Sequence, residues 1–192
     1  MVPNNITKPV KQFTIPRLLI SFTIILILIP IGLLFHYFSI NKELLTKNMA
    51  LEENLLYIPT HWPTDPNKIT SPFGPRNDPF NRSRAIHSGI DVRGKTGTPI
   101  YAAADGTVQL AQYHGGYGNT IIINHSDRYE TLYAHLSKIS VEQGDQVLKG
   151  DVIGELGSTG RSTGPHLHYE IIKSEKAVDP EPYLNFFDNE IN

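Results

Sequence analysis

No formally charged residue stands between Arg17 and Lys42, and from Leu18 to Phe38 the chain reads LLISFTIILILIPIGLLFHYF. As a helix rising ~1.5 Å per residue, this run is ~31 Å long, close to the hydrocarbon thickness of a bilayer. A run of that length is a poor fit to a buried helix in a soluble domain. A cleaved signal peptide has a shorter apolar region, about 7–15 residues, that ends in a small-residue site. No such site occurs from Ile31 to Ile40. The run predicts a single uncleaved transmembrane helix over 18–40, kinked at Pro30, which membrane helices tolerate. Lys8, Lys11 and Arg17 precede it with no acidic residue among them, and Lys42 and Lys47 follow. That bias makes 1–17 a cytoplasmic tail. It predicts a single-pass protein of the inner (cytoplasmic) membrane, with the remainder periplasmic or extracellular.

Residues 41–66 read as a stalk and a Pro-rich linker. Leu44, Leu45, Met49, Leu51, Leu55 and Leu56 recur at roughly helical spacing among Lys and Glu, a pattern that offers a surface for self-association or for a regulatory partner. Pro59, Pro63 and Pro66 then break any helix. The main domain is expected over 67–185, followed by a tail at 186–192. Its turn signals recur every eight to twelve residues and separate runs rich in β-branched and aromatic residues. These are 98–102, 106–110, 120–124, 130–134, 146–148, 151–156 and 167–173. Short strands at that spacing, with no long amphipathic helix, predict an all-β antiparallel domain and argue against a doubly wound α/β fold. A faint echo between 97–108 and 144–154 resembles biotinyl and lipoyl carrier phrases, with Lys149 the nearest candidate for a modified lysine, but the flanking pattern is missing. The formal net charge of −2 gives no basic footprint for nucleic acid. The absence of cysteine excludes disulfides, thiolate zinc clusters, iron–sulfur sites and a cysteine nucleophile.

The chemistry falls to the histidines. His36 ends the apolar run and His61 lies in the linker, neither with an evident partner. His87-Ser-Gly-Ile-Asp91 places an imidazole and a carboxylate four residues apart, on one face if the backbone is extended. His166-Leu-His168 places two imidazoles on one side of a strand. Each pattern alone is weak. Together, each opening a predicted strand near a Gly- or Pro-containing turn, they suggest a metal site. Three protein ligands with one open position mark catalytic zinc, and His87, Asp91 and one of His166 and His168 supply such a set. His135 adds another imidazole. No His-Glu-x-x-His, Gly-x-Ser-x-Gly or phosphate-binding loop occurs.

From about Ile69 to Tyr183 the chain resembles the lysostaphin/LytM-type zinc peptidase family. The resemblance rests on TSPFGPR (70–76), HSGIDV (87–92), GTPIYAAADGTV (97–108), YGN (117–119), TLYAHL (131–136) and GSTGRSTGPHLHYE (157–170), in the family order. It implies an all-β antiparallel domain of the LytM/lysostaphin type, resembling the duplicated hybrid motif, with the site in a groove between loops. It also implies one Zn²⁺ per domain and hydrolysis of peptide bonds in bacterial peptidoglycan. By position, His87, Asp91 and His168 resemble the metal ligands, and His135 and His166 the two unligated catalytic histidines. Which of those two is the general base stays open. Some relatives have lost ligands and only activate amidases; all five residue types are intact here. The alternative reading is therefore an occluded or non-hydrolysing module that binds the wall or activates an amidase. Around the site, Arg76 is a substrate-carboxylate binder or a structural residue, and 157–164 is a groove border or a tight connection. Tyr117 and Asn119 line the groove or shape a turn. His125 is expected to satisfy a local hydrogen bond, and His114 to lie in a loop.

Overall fold

The computed structural model describes residues 17–65, 69–78 and 83–186. The expected cytoplasmic tail, apart from Arg17, and the expected C-terminal tail, apart from Phe186, lie outside them. Contacts divide the chain after Ala50 into two units. The described part of the first belongs to one helix, α1 (Arg17–Leu56), which continues through Pro30. From Ile24 to Ala50 its side chains are exposed, and it is long and apolar enough to cross a membrane. The run expected to be the anchor and residues 41–56 of the expected stalk lie on one uninterrupted helix, which stops at Leu56, shortly before Pro59.

The second unit is built on antiparallel sheet. Its strands are β1 (Ile69–Ser71), β2 (Gly74–Asn77), β3 (Arg84–His87), β4 (Ile90–Arg93), β5 (Pro99–Tyr101), β6 (Gly106–Tyr113) and β7 (Asn119–Asn124). They continue with β8 (Tyr129–Leu136), β9 (Lys138–Ile139), β10 (Gln146–Val147), β11 (Val152–Glu155), β12 (His166–Lys173) and β13 (Lys176–Val178), and a short helix α2 (Glu181–Leu184) follows. The main sheet runs β1-β4-β12-β8-β7-β6-β10, with β13 on β12; β5-β11-β9 form a second sheet and β2-β3 a hairpin. Each of the seven runs expected from sequence overlaps a strand. Alternation explains the layering. On β12, Leu167, Tyr169 and Ile171 point into the core with Ile90 and Val92 of β4, while His166, His168 and Glu170 leave the opposite face. Ile100, Ile153 and Leu156 bring the second sheet into the same core.

The Pro-rich segment packs on this domain. Thr60 and Thr64 are buried, Trp62 packs against the core, and the His61 N–H donates to the Ala103 carbonyl at 3.0 Å. The His61 ring meets Tyr101 edge-on at 6.0 Å, and Lys149 donates its Nζ to Thr60 Oγ1 at 2.6 Å.

His125 does satisfy a local hydrogen-bond chain. Its Nδ1–H donates to the Asp105 carbonyl at 2.7 Å, and Nε2 lies 2.7 Å from Thr131 Oγ1, which is 2.9 Å from the buried Tyr133 hydroxyl. Burial pushes the His125 pKa down to about 4. An unfolded histidine titrates near 6.5, so the unfolded state binds the extra proton first. This contribution to stability is complete above about pH 6.5 and is lost as the pH falls through about 4, a span worth roughly 3 kcal/mol. The stability gap between wild type and His125→Gln, measured by chemical denaturation, will therefore narrow as pH falls from 7 to 4.5. A gap independent of pH would contradict this assignment.

Candidate metal centre and its cleft

Strand register delivers the first two candidate ligands. His168 on β12 stands opposite Asp91 on β4, and residues directly opposite in an antiparallel pair project from the same face. His87 ends β3 and reaches the same point after the turn at Ser88-Gly89. A side chain at Gly89 would collide with the Tyr169 carbonyl at 2.1 Å, so only glycine allows β12 to pass so close. The three groups converge: His87 Nε2 lies 3.1 Å from Asp91 Oδ1 and 3.0 Å from His168 Nδ1, and His168 Nδ1 lies 2.9 Å from Asp91 Oδ1.

Second hydrogen bonds fix which ring nitrogen carries each proton. His87 Nδ1 lies 2.8 Å from the Pro72 carbonyl, which can only accept, so Nδ1 is the donor and Nε2 keeps its lone pair. His168 has the opposite tautomer: its Nε2–H donates to Glu170 Oε1 at 2.8 Å, leaving the Nδ1 lone pair toward Asp91 and His87. Two imidazole lone pairs and a carboxylate oxygen thus face one another at about 3 Å with no hydrogen between them. Such an arrangement is repulsive without a cation. Donors bound to Zn²⁺ at ~2.1 Å in a tetrahedron lie ~3.4 Å apart, so the nitrogen and oxygen donors suit this ion by chemistry and approximately by spacing.

The surrounding residues hold these donors in place. Arg76 Nη1 donates to Asp91 Oδ2 at 2.8 Å and to Ser71 Oγ at 2.6 Å, which gives it a structural role. Burial opposes the Asp91 charge, the Arg76 guanidinium donating to its Oδ2 favours it, and the carboxyl is held well below the usual carboxylate range. Glu170 is buried too, and His168, Ser88 and Tyr117 all donate to its Oε1 and keep it ionised against its desolvation. Sequence reading passed over Glu170. The available signal was the alternation His166-x-His168-x-Glu170, which puts a carboxylate on the face of the two imidazoles.

His135 arrives by a different route. Its register partners put Tyr133 on the core side and Ala134 on the His168 side. Strict alternation would send His135 into the core. Instead its φ is +63°, and the β7–β8 register slips by one residue at this point. This bulge returns His135 to the site and lets Leu136 enter the core, a known use of bulges beside functional sites. His135 Nδ1 donates to the Thr159 carbonyl at 2.8 Å, and His166 Nδ1 to the Gly164 carbonyl at 2.7 Å. Both therefore present an Nε2 lone pair. The two rings lie 4.7 Å apart, and His166 Nε2 is 3.7 Å from Asp91 Oδ1. Burial pushes the His135 pKa down to about 4, so it is neutral across the physiological range.

All five sequence-predicted residues line one open cleft of about 720 Å³. Its walls are the β2–β3 hairpin, the 115–118 turn and the 157–165 loop. The 157–164 run both borders the cleft and supports it through the Thr159 and Gly164 carbonyls. Arg161 ties the walls together, donating to Asp78 at 2.8 Å while its backbone N–H donates to the Gly116 carbonyl. Tyr117 lines the cleft, with its ring 5.7 Å from that of His168. Asn119 shapes the fold instead, through Nδ2 to the Leu136 carbonyl. His114 stacks on Tyr117 at 6.0 Å and His36 is exposed on α1; neither joins the centre.

An antiparallel sheet carrying a His₂Asp donor set beside two further imidazoles defines a metallohydrolase of the zinc type. The family model "Peptidase family M23" matches residues 85–180, and the chain belongs to that family. Over 113 residues it is 50% identical to the DD-carboxypeptidase/endopeptidase Mpg of Neisseria meningitidis serogroup B, an alignment covering 59% of this chain and 26% of that protein. The chain thus matches about a quarter of that relative's length. Among solved structures it is similar to a zinc-containing peptidase from Vibrio cholerae, with TM-score 0.58 and 38% identity over 64% of this chain and 38% of that one. It is also similar to the catalytic domain of the antimicrobial peptidase lysostaphin from Staphylococcus simulans, with TM-score 0.57 and 36% identity over 62% of this chain and 92% of that one. Zinc is the cofactor that family and donor set together indicate.

Proposed function

We propose that this protein is a membrane-anchored zinc endopeptidase that hydrolyses peptide bonds in peptidoglycan, with D–D bonds the favoured target. The observation that carries this reading is the set of convergent lone pairs on His87, Asp91 and His168, flanked in the same cleft by the free Nε2 atoms of His135 and His166. The D–D preference follows the activity named for the Neisseria relative. In this reading 18–40 anchors the chain with 1–17 in the cytoplasm, the helical part of the stalk up to Leu56 spaces the catalytic domain from the bilayer, and the sheet domain with the Pro-rich segment packed on it works on the outer side of the inner membrane.

His87, Asp91 and His168 would hold the ion. Zinc, when bound, supplies Lewis acidity that polarises a carbonyl and makes water nucleophilic near neutral pH. The protein's own groups then manage protons and charge. His135 Nε2 is in its accepting form at neutral pH, and His166 Nε2 faces the same volume. One of the pair accepts the proton of the attacking water and delivers it to the departing amine, while the other steadies charge developing on the carbonyl oxygen. Carbonyls of Thr159 and Gly164 keep both rings aimed throughout. Support against a non-hydrolysing module comes from the presence of all five side chains and from a cleft that is open among the described residues.

The test is product release from purified sacculi by the full chain in detergent, with and without a zinc chelator. The reading expects new amino termini from the untreated protein, their loss with chelator and their return when zinc is restored. Release that is indifferent to the chelator would overturn it, and product masses would identify the bond.

A further inference from the structure

We infer that Arg93 forms an anion subsite in the cleft that binds the free carboxylate of the residue immediately following the scissile bond. This rests on the reading of the cleft as a peptide-hydrolysing site and adds to it a determinant of substrate choice.

Three arginines line the cleft: Arg76, Arg93 and Arg161. Its acidic lining residues are Asp78 and Asp91, and both are taken. Asp91 is paired with Arg76 at 2.8 Å, and Asp78 with Arg161 at 2.8 Å. The Arg93 guanidinium has no carboxylate partner among the described residues, and Arg93 is exposed. Glu170, behind His168, is bound by His168, Ser88 and Tyr117, so among the described residues Arg93 is the cleft arginine whose charge no carboxylate pairs. An anionic ligand is the electrostatic complement of that charge.

Register gives the charge its place. Arg93 lies two residues beyond Asp91 on β4, roughly 6.6 Å along the strand. It stands opposite His166 on β12 just as Asp91 stands opposite His168, so Arg93 and His166 leave the same face. The subsite is thus on the His166 side of the metal centre. A carboxylate on the residue after the scissile bond is attached to the carbon next to the peptide nitrogen, within about 4 Å of it. A long arginine side chain spans that interval, and its planar fork matches a carboxylate in two parallel hydrogen bonds. Peptides ending one residue past the cleaved bond present this group, as do branches whose amine-side residue keeps its carboxylate. A neutral glycine bridge does not.

The experiment measures binding to the zinc-loaded full chain in detergent by calorimetry in the cold. The probes are diacetyl-L-Lys-D-Ala-D-Ala with a free carboxylate and its C-terminal carboxamide, each against wild type, Arg93→Gln and Arg93→Lys. The expected result is at least about tenfold tighter binding of the carboxylate by wild type, equal binding by Arg93→Gln and an intermediate preference for Arg93→Lys. Unchanged zinc content and melting temperature in the variants show that the fold is intact. Two results would overturn the subsite: no preference in wild type, or the same preference in Arg93→Gln, which would assign the carboxylate to the metal itself. The two proposals fail differently. Chelator-sensitive cleavage of both probes without discrimination removes the subsite and leaves the peptidase reading standing, whereas sacculi untouched by zinc-loaded protein remove that reading.

Discussion

Asp91→Ala will purify without stoichiometric zinc and will release products from sacculi at least about a thousandfold more slowly than wild type. The size of the effect follows from what this carboxylate does. Oδ1 lies within 3.1 Å of both ligand histidines, and Oδ2 accepts from Arg76. Its removal takes away the only negative charge among the three donors and leaves the Arg76 guanidinium beside two imidazoles, so a divalent cation meets net repulsion where it met attraction. Asp91→Asn separates charge from shape. The amide fills the same space, yet it neutralises nothing, so zinc content falls here too. Elemental analysis of dialysed protein, together with product release, checks both variants. Full zinc and undiminished release in Asp91→Asn would show that the carboxylate charge is dispensable and that the ligand set has been drawn wrongly.

Much of this centre could be read before the fold was known, because its ligands come from local patterns. His87 and Asp91 flank a four-residue interval, and His166 and His168 alternate on one strand; both relations survive whatever the rest of the chain does. Zinc, all-β architecture and the anchor run likewise follow from short-range sequence. What was hidden depends on long-range pairing. The residue pattern alone left His166 and His168 open as the third donor, with the family resemblance pointing to His168; what sets His168 opposite Asp91 is the register between β4 and β12, which are some seventy residues apart. The first four strands are short and bounded by Pro and Gly, so their periodicity is too brief to register. Glu170 gains its meaning from Ser88 and Tyr117, which are distant in sequence. The segment around Trp62 carried the Pro signature of a linker, yet Trp62 and Thr64 pack on the sheet domain, because proline rules out regular structure without ruling out burial.

His135 is the clearest case of a residue that sequence places and backbone geometry aims, and it leads to the second large effect. His135→Asn and His166→Ala will each retain zinc while losing turnover by about 10²–10⁴-fold, the range for removing a positioned acid or base. Asparagine is the better choice at 135 because it tolerates the left-handed backbone that the bulge requires, so the change tests the imidazole and not the turn. Retention of metal is expected because neither Nε2 belongs to the trio of convergent atoms, and each ring is held by a loop carbonyl instead of by a ligand. The two losses should not add. Both rings act on the same transition state, one on its proton and one on its developing charge, so once either is gone the other has little left to accelerate, and the double variant will be little slower than the worse single one. The pH profiles should separate the roles. The variant that has lost the proton acceptor will lose the acid limb that this group imposes, and the other will keep it. Loss of zinc from both variants, or release above a tenth of the wild-type rate in either, would mean that these imidazoles serve the metal or the fold and not the proton.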